Sequence, residues 1–170
     1  EASGTERIDY RTRGTYNLLR AAAAQGVRRV VYLSSLSILA GYDQRLMITE
    51  DYQPQPTPHA ETLSHYLGEF TCREFARCGA LNVIVLRVGR LDERETDRSP
   101  VADLPRTEIN DVVAAIAAAL GTRRDGLSSS QVQWDVSHIH SEADSQRFPL
   151  SKSQRLLGYS PAQHRSTEIP

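Results

Sequence analysis

The sequence predicts an α/β fold with a parallel sheet, and the signal comes from two short apolar runs and the helical patterns before them. The runs VVYL (residues 30–33) and NVIVL (82–86) are continuously apolar, as strands buried on both faces of a parallel sheet are. A helical periodicity precedes each run, over residues 8–24 and about 59–78. Helices that alternate with strands through short turns indicate parallel pairing with right-handed crossovers.

The two helices are each predicted to turn one stripe inward and to end at a glycine. Gly26 follows the first helix as a C′ residue would, and Gly79 stops the second. The inward stripe of the first helix is Thr15, Leu18, Leu19, Ala22 and Ala23. The inward stripe of the second is Leu63, Tyr66, Leu67, Phe70 and Phe75. A long loop, residues 35–58, separates the first strand from the second helix.

The sequence changes character after residue 90, which predicts a first part over 1–90 and a smaller second part over 91–170 packed on it. A polar stretch leads to TEINDVVAAIAAAL (107–120), an amphipathic helix capped by Gly121. Its predicted inward face is Ile109, Val112, Val113, Ile116 and Leu120. A strand near residues 132–138 and a short helix over SKSQRLLG follow.

Composition indicates a soluble globular protein. Hydrophobic residues make up 39% and charged residues 24%, and no apolar run approaches the length of a membrane span. The net charge of −1 gives no reason to expect nucleic acid or a membrane surface as a partner. Cys72 and Cys78 are six positions apart on one predicted helix, on different faces, so we expect reduced thiols and a cytoplasmic location.

Signatures of common sites are missing from the chain. No three glycines have the Gly-x-Gly-x-x-Gly spacing of a dinucleotide turn, and there is no Gly-x-Ser-x-Gly elbow. His138 and His140 could chelate a metal from one face of a strand, but two surface histidines are the favoured interpretation. His59 and His65 do not have the spacing of four that places two ligands on one helical face. No metal site is predicted.

The carboxyl ends of the predicted strands, residues 34–37 and 87–90, are where ligands bind in sheets of this kind. Glu61, His65 and Glu69 lie at i, i+4 and i+8 on the helix that starts nearby. A pair between Glu61 and His65 would raise the pKa of His65 and would make the imidazole a usable general base. A solvated helix face is the favoured alternative.

Together these segments resemble the extended short-chain dehydrogenase/reductase family, the NAD-dependent epimerase/dehydratase group. The matching stretches are GTYNLLRAAAAQGVRRVVYLSS (14–35), ITEDYQPQPTP (48–58), SHYLGEF (64–70), NVIVLRVGR (82–90), INDVVAAIAAAL (109–120) and LLGYSP (156–161). The resemblance implies a Rossmann-like doubly wound sheet over 1–90 with NAD(P)-binding function, and a small substrate-side part over 91–170. It also implies that the first strands and the glycine-rich turn lie upstream, so we expect an incomplete sheet with an exposed, sticky edge.

The resemblance places the family's Tyr-x-x-x-Lys pair on residues of other types. Counting back from Glu69, which matches a Glu of the family pattern, the Lys position falls on His65 and the Tyr position on Glu61. The usual Ser or Thr after the first strand falls on Leu36, beside Ser35. The catalytic candidates are therefore Glu61, His65 and Ser35, as positional equivalents or neighbours.

The resemblance further implies NAD or NADP as the cofactor, with weak or absent affinity in this chain alone. The cofactor-binding candidates are Ser34, Ser35, Arg87 and Val88. The only lysine, Lys152, lies too far downstream to replace the family's lysine. The implied partners are a dinucleotide and a small-molecule substrate, and a homodimer stays open.

Three functions stay open from the sequence. The first is an NAD(P)-dependent epimerase/dehydratase-like oxidoreductase that acts on a nucleotide-sugar-like or another small hydroxyl or carbonyl substrate. The second is a catalytically silent sensor or scaffold, a pseudoenzyme that binds a dinucleotide. The third is a different reaction in which Glu61 and His65 form a substitute acid/base pair.

Overall fold

A computed structural model describes residues 3–91, 103–122 and 134–162. Within these ranges a three-stranded parallel sheet carries helices on both faces, which confirms the predicted α/β fold. The strands, in the sheet order β1-β2-β3, are β1 (Arg29–Ser35), β2 (Asn82–Val88) and β3 (Trp134–Ile139). The helices are α1 (Gly4–Asp9), α2 (Thr15–Ala24), α3 (Ala60–Arg77), α4 (Ile109–Gly121) and α5 (Ser151–Leu157).

Two cores lie on opposite faces of the sheet, as a doubly wound fold requires. The core on the side of α2 and α3 contains Leu19, Cys72, Ala76, Leu81, Val83, Val85 and Val136. The core on the side of α4 and α5 contains Ile84, Leu86, Val88, Val112, Ala115, Ala119, Ile139, Leu150 and Tyr159. A third cluster lies under the loop after β1 and contains Leu36, Ile38, Leu39, Ile48, Leu104 and Phe148.

Helical structure begins earlier than predicted, at Gly4 rather than residue 8. Ser3 caps α1 in a capping box: its Oγ accepts from the Glu6 N–H, and the Glu6 carboxylate accepts from the Ser3 N–H. A π-helical segment, Tyr10–Gly14, joins α1 to α2. The chain then leaves α2 at Gly26, which adopts the predicted left-handed conformation (φ 73°).

The predicted inward stripe of α2 is too wide. Leu19 is buried, but Leu18 is 68% exposed. Leu19 is the residue of α2 that is buried, and the residue one position before it, rotated by about 100°, faces solvent.

The predicted inward stripe of α3 is wrong in part, since Phe70 is 42% exposed. The buried side of this helix carries smaller residues instead: Thr62, Ser64, Gly68, Glu69, Cys72 and Ala76. The reason is close approach: a Cβ on Gly68 would overlap the Tyr32 hydroxyl and lie 2.9 Å from the Arg11 carbonyl oxygen. The periodicity identified the side of α3 that carries large apolar residues. The side that packs on the sheet carries the small residues. The helix ends as predicted before Gly79 (φ 73°).

Only one of the first two strands is buried as predicted. β2 is buried from Val83 to Val88, but β1 is half-buried and Leu33 is 42% exposed. β1 has a neighbour on one side only within the described residues. It therefore forms an exposed edge of this sheet.

The amphipathic face of α4 is also rotated from the prediction. Val112 is buried, but Ile109, Val113 and Leu120 are each more than half exposed. The buried side is Asp111, Val112, Ala115 and Ala119, because small residues allow the helix to lie close to the sheet.

The end of α4 differs as well, because Gly121 is its last residue and Thr122 is the cap. The Thr122 hydroxyl donates to the Ala118 carbonyl at 2.8 Å. The Arg29 guanidinium of β1 donates to the carbonyls of Leu120 (3.1 Å) and Thr122 (2.6 Å). A cation at a helix C-terminus satisfies carbonyls that have no partner inside the helix.

The strand predicted near 132–138 is β3, and the predicted final helix is α5, which ends at Gly158 (φ 64°). β3 pairs with β2 although it lies beyond residue 90. The division of the chain at residue 90 stays a prediction, while the sheet itself extends across it. Both cysteines are free. None of the helices in the described ranges is long and apolar enough to cross a membrane.

Candidate functional site

A cleft of about 680 Å³ opens where β1 and β2 end and α3 begins. The sequence predicted a site at this place, because the carboxyl ends of parallel strands meet at one edge of a sheet. Five of the predicted site residues line the cleft together: Ser34, Ser35, Glu61, His65 and Val88. Ser34 and Ser35 end β1, and Val88 ends β2 in register with Ser35.

The side chain of Arg87, another predicted site residue, pairs with Glu69 of α3 and does not line the cleft. Its guanidinium makes two parallel hydrogen bonds to the carboxylate of Glu69, with Nη2–Oε1 at 2.6 Å and Nε–Oε2 at 3.1 Å. The two side chains are only 3% and 5% exposed. Arg87 therefore ties β2 to α3 and faces a separate cavity of about 300 Å³ instead of the cleft.

His65 has a different partner from the predicted one. Its Nδ1 lies 3.1 Å from Nη1 of Arg11. Burial, and next the positive charge of Arg11, lower the pKa of His65 to about 4. The hypothesis that Glu61 raises this pKa is therefore wrong, because burial and the neighbouring Arg11 cation both lower the pKa of His65.

The Arg11 contact also decides the tautomer of His65. A guanidinium can only donate hydrogen bonds, so Nδ1 must accept. A ring with a pKa of about 4 is neutral at pH 7, and its hydrogen is then on Nε2. At neutral pH His65 is a hydrogen-bond donor through Nε2, and its basic nitrogen is occupied by Arg11.

Glu61 lies in the first turn of α3 and is exposed to solvent. Within the described residues no hydrogen bond or ion pair occupies its carboxyl group. A carboxylate in the first turn of a helix is stabilised by the helix dipole. Glu61 is thus available to a ligand in the cleft.

The serines at the end of β1 divide into two kinds. The Ser35 hydroxyl accepts from the Ser37 N–H at 3.1 Å and caps a short 3₁₀ turn, Leu36–Leu39. The hydroxyls of Ser34 and Ser37 are buried and have no hydrogen-bond partner in the described part of the chain. Leu36, at the position of the family's Ser or Thr, is fully buried in the loop cluster and offers no polar group to the cleft.

Three arginines that the sequence reasoning missed also line the cleft: Arg7, Arg11 and Arg90. Arg7 and Arg11 have an i, i+4 spacing that would have suggested a shared helical face. The predicted helix start at residue 8 left Arg7 out of that pattern. The contact between Arg11 and His65 joins residues 54 positions apart and has no local signal.

The two histidines near the end of β3 are buried and not on the surface as predicted. The His140 Nε2 lies 2.7 Å from the Phe148 carbonyl, and the His138 ring packs edge-on against the Phe148 ring. Burial lowers the pKa of both rings. In the described part of the chain no group of three His, Cys, Asp or Glu side chains is placed to hold a metal ion.

Comparisons with known proteins agree with this geometry. The sequence model of the NAD dependent epimerase/dehydratase family matches residues 2–91, which is more than half of the 170 residues. No curated protein matches the chain. Solved structures that match it are related in fold but distant in sequence.

A glucuronic acid dehydrogenase from Chromohalobacter salexigens has a TM-score of 0.73 and 18% identity, with coverage of 100% of this chain and 62% of its own. A UDP-glucuronic acid 4-epimerase from Bacillus cereus in complex with NAD has a TM-score of 0.67 and 19% identity, with coverage of 95% and 64%. The protein MoeE5 in complex with UDP-glucuronic acid and NAD has a TM-score of 0.67 and 19% identity, with coverage of 88% and 65%. The chain thus spans slightly less than two thirds of the length of each.

Proposed function

Because the chain belongs to the NAD-dependent epimerase/dehydratase family, we propose that it forms part of an NAD(P)-dependent oxidoreductase of that kind. Its substrate is nucleotide-sugar-like or another small molecule with a hydroxyl or carbonyl group. The observation that carries the proposal is the cleft at the carboxyl ends of β1 and β2, which gathers Ser34, Ser35, Glu61, His65 and Val88. Two of the structural neighbours are complexes with NAD and UDP-glucuronic acid or with NAD alone, which supports the same ligand classes here.

The residues of the cleft fit one end of a dinucleotide. The Ser34 hydroxyl is buried without a partner in the described residues, and a ribose hydroxyl would satisfy it. Val88 offers an apolar wall beside it. When bound, NAD(P) accepts or supplies a hydride. These 170 residues hold no Gly-x-Gly-x-x-Gly turn, so they do not themselves supply that cradle for the pyrophosphate.

Glu61 and His65 divide the proton chemistry between them in this proposal. Glu61 takes the proton of the substrate hydroxyl as that carbon is oxidised, since its carboxyl group is exposed and unoccupied within the described residues. His65 donates a hydrogen bond from Nε2 to the substrate oxygen. It does not act as the base, because Arg11 occupies its Nδ1.

The test is cofactor reduction by the protein together with any sequence that precedes Glu1. Nucleotide sugars and free uronates serve as substrates, and absorbance of the reduced cofactor is followed. General acid–base catalysis is worth about 10²–10⁴-fold, so Glu61→Gln should lower kcat by roughly that factor. Glu74→Gln is the matched control, because Glu74 lies on the same helix and pairs with Arg77 outside the cleft. Turnover by Glu61→Gln within twofold of the unsubstituted protein contradicts the role of Glu61.

A second candidate function, a catalytically silent sensor or scaffold that binds a dinucleotide, is favoured by the Arg11–His65 contact. The neutral ring of His65 stands where the family has a lysine ammonium. Leu36 stands where the family has the hydroxyl of a Ser or Thr. This candidate predicts that NAD(H) or NADP(H) binds in calorimetry while no substrate is turned over by any variant. Absence of binding of either cofactor at millimolar concentration, in the protein together with any sequence that precedes Glu1, would exclude both candidates.

A further inference from the structure

The cleft carries a strong excess of positive charge among its described residues. Arg7, Arg11 and Arg90 line it, and Glu61 is the only acidic residue that does so. Guanidinium groups stay charged at any pH at which the protein is folded. The charge is therefore a fixed property of the site and does not depend on titration.

Arg11 is the arginine whose position is best defined. Its Nη1 contacts the His65 ring at 3.1 Å, and a guanidinium has further N–H donors to offer. None of the ion pairs among the described residues involves Arg11. A cation held by a neutral ring, without a carboxylate to neutralise it, is available to an anionic ligand.

Two buried hydroxyls independently indicate that a ligand binds here. Ser34 and Ser37 line the cleft, are 3% and 5% exposed, and have no hydrogen-bond partner in the described ranges. Buried polar atoms in proteins are nearly always partnered. A ligand oxygen that accepts from these hydroxyls would supply the missing partner.

The beginning of α3 adds backbone donors at the same place. His59 is the N-cap but provides no side-chain cap, and the first amide with an intrahelical partner is that of Leu63, bonded to the His59 carbonyl. Ala60 and Thr62, which line the cleft, precede that amide. The N-terminus of this 18-residue helix carries a partial positive charge that favours anions.

We propose that the cleft binds an oxyanion group of a small-molecule ligand, a carboxylate or a phosphate, with Arg11 as the principal cation and the Ser37 hydroxyl and the first amides of α3 as further donors. The inference rests on the proposed function only for the identity of the molecule that carries the group. Anion binding itself needs no cofactor and no turnover. A result that contradicts anion binding is therefore distinguishable from a result that contradicts the proposed function.

The experiment is a titration of the ¹⁵N-labelled protein by NMR, at constant ionic strength in chloride and without cofactor. The probes are inorganic phosphate, D-glucuronate, and D-glucose as the matched neutral sugar. We expect saturable shifts at residues of the cleft with at least one of the two anions and none with glucose. Tighter binding of phosphate assigns the site to a phosphate group, and tighter binding of glucuronate assigns it to a sugar carboxylate.

Variants connect the binding to Arg11. Arg11→Gln should weaken anion binding by roughly tenfold or more, since hydrogen bonds to charged groups contribute that much, and Arg11→Lys should weaken it less. Arg20→Gln removes an exposed arginine of α2 that does not line the cleft and should bind as the unsubstituted protein does. Should Arg11→Gln not fold, Arg11→Lys replaces it, with a severalfold loss expected. Shifts that do not saturate with either anion, or equal binding by the Arg11 and Arg20 variants, would overturn the inference.

Discussion

His65 shows how one contact changes the chemistry of a side chain. The position is on the first turns of α3 and faces the cleft, where a histidine next to a carboxylate would be a base. Burial, and next the contact with Arg11, instead lower the pKa of His65 to about 4. At this site the positive charge is carried by arginine, and the imidazole acts as a neutral acceptor and donor.

The lowered pKa of His65 makes a prediction about acid stability. Between the ordinary histidine pKa of 6.5 and the folded pKa of about 4, the unfolded chain binds a proton that the folded protein does not. The free energy of unfolding therefore falls as pH falls through this window. The loss from this group is at most about 3 kcal/mol. His65→Gln should abolish this part of the loss.

The measurement is urea unfolding of both proteins from pH 7 to pH 4. His138 and His140, whose pKa values are also lowered by burial, destabilise both proteins in acid, so the difference between the two isolates His65. A difference that does not change with pH would contradict the lowered pKa.

Much of the site at residue level was predictable. Ser34, Ser35 and Val88 were placed by the ends of apolar runs, and Glu61 and His65 by helical spacing, and all five line one cleft. The ion pair of Arg87 was not predictable, nor was the role of Arg11, because each depends on a contact between elements distant in sequence.

At the scale of elements, α3 is joined to β2 by the buried pair of Glu69 and Arg87. Removal of one partner leaves a buried charge without compensation, so Glu69→Leu or Arg87→Met should each lower the free energy of unfolding by about 3–5 kcal/mol. The double variant should lose less than either single one, because no unpaired charge remains. Denaturant unfolding of the three proteins measures this. Additive losses in the double variant would show that the pair is not coupled.

Close packing of α3 on the sheet gives another prediction at this scale. Gly68→Ala would place a methyl group against the Tyr32 hydroxyl and the Arg11 carbonyl, so we expect a loss of about 1–3 kcal/mol of stability. Gly121→Ala is the matched control, since a Cβ at that helical position meets nothing within 4 Å and alanine should stabilise the helix by about 0.5–1 kcal/mol. Thermal unfolding distinguishes the two. Equal melting temperatures for both variants would argue against the close approach.

Helices α3 and α4 show why the buried face of a helix was predicted less well than its position in the sequence. Periodicity in α3 and α4 located both helices correctly but pointed to their larger apolar residues. The sheet instead meets Gly68 and Cys72 of α3 and Ala115 of α4. Which side of an amphipathic helix lies close to a sheet depends on side-chain volume at the contact and is not visible in hydrophobicity alone.

At the scale of the whole molecule, parallel topology and the place of the cleft follow from the order of elements, and both were predictable. Membership of β3 in the same sheet was not, because the polar stretch after residue 90 suggested a separate part. β1 is an edge strand of the sheet within the described residues, and an incomplete sheet stays a prediction. The two-part division and the dinucleotide site stay predictions.

Cofactor affinity is the prediction that belongs to this scale. The 170 residues contain the strand ends that meet one end of a dinucleotide but no glycine-rich phosphate turn. We expect NAD(H) and NADP(H) to bind this chain weakly, with Kd values of roughly millimolar order. Isothermal calorimetry measures the affinity. A micromolar Kd would mean that the arginines of the cleft replace the turn.

The protonation of His65 at neutral pH decides whether arginine supplies the charge of the cleft and the ring is a neutral donor. Long-range ¹H–¹⁵N NMR of the imidazole reports the protonation of each ring nitrogen. We expect a hydrogen on Nε2, a hydrogen-bonded and unprotonated Nδ1 at pH 7, and a titration midpoint near the pKa of about 4. A doubly protonated ring at pH 7, or a hydrogen on Nδ1, would contradict it.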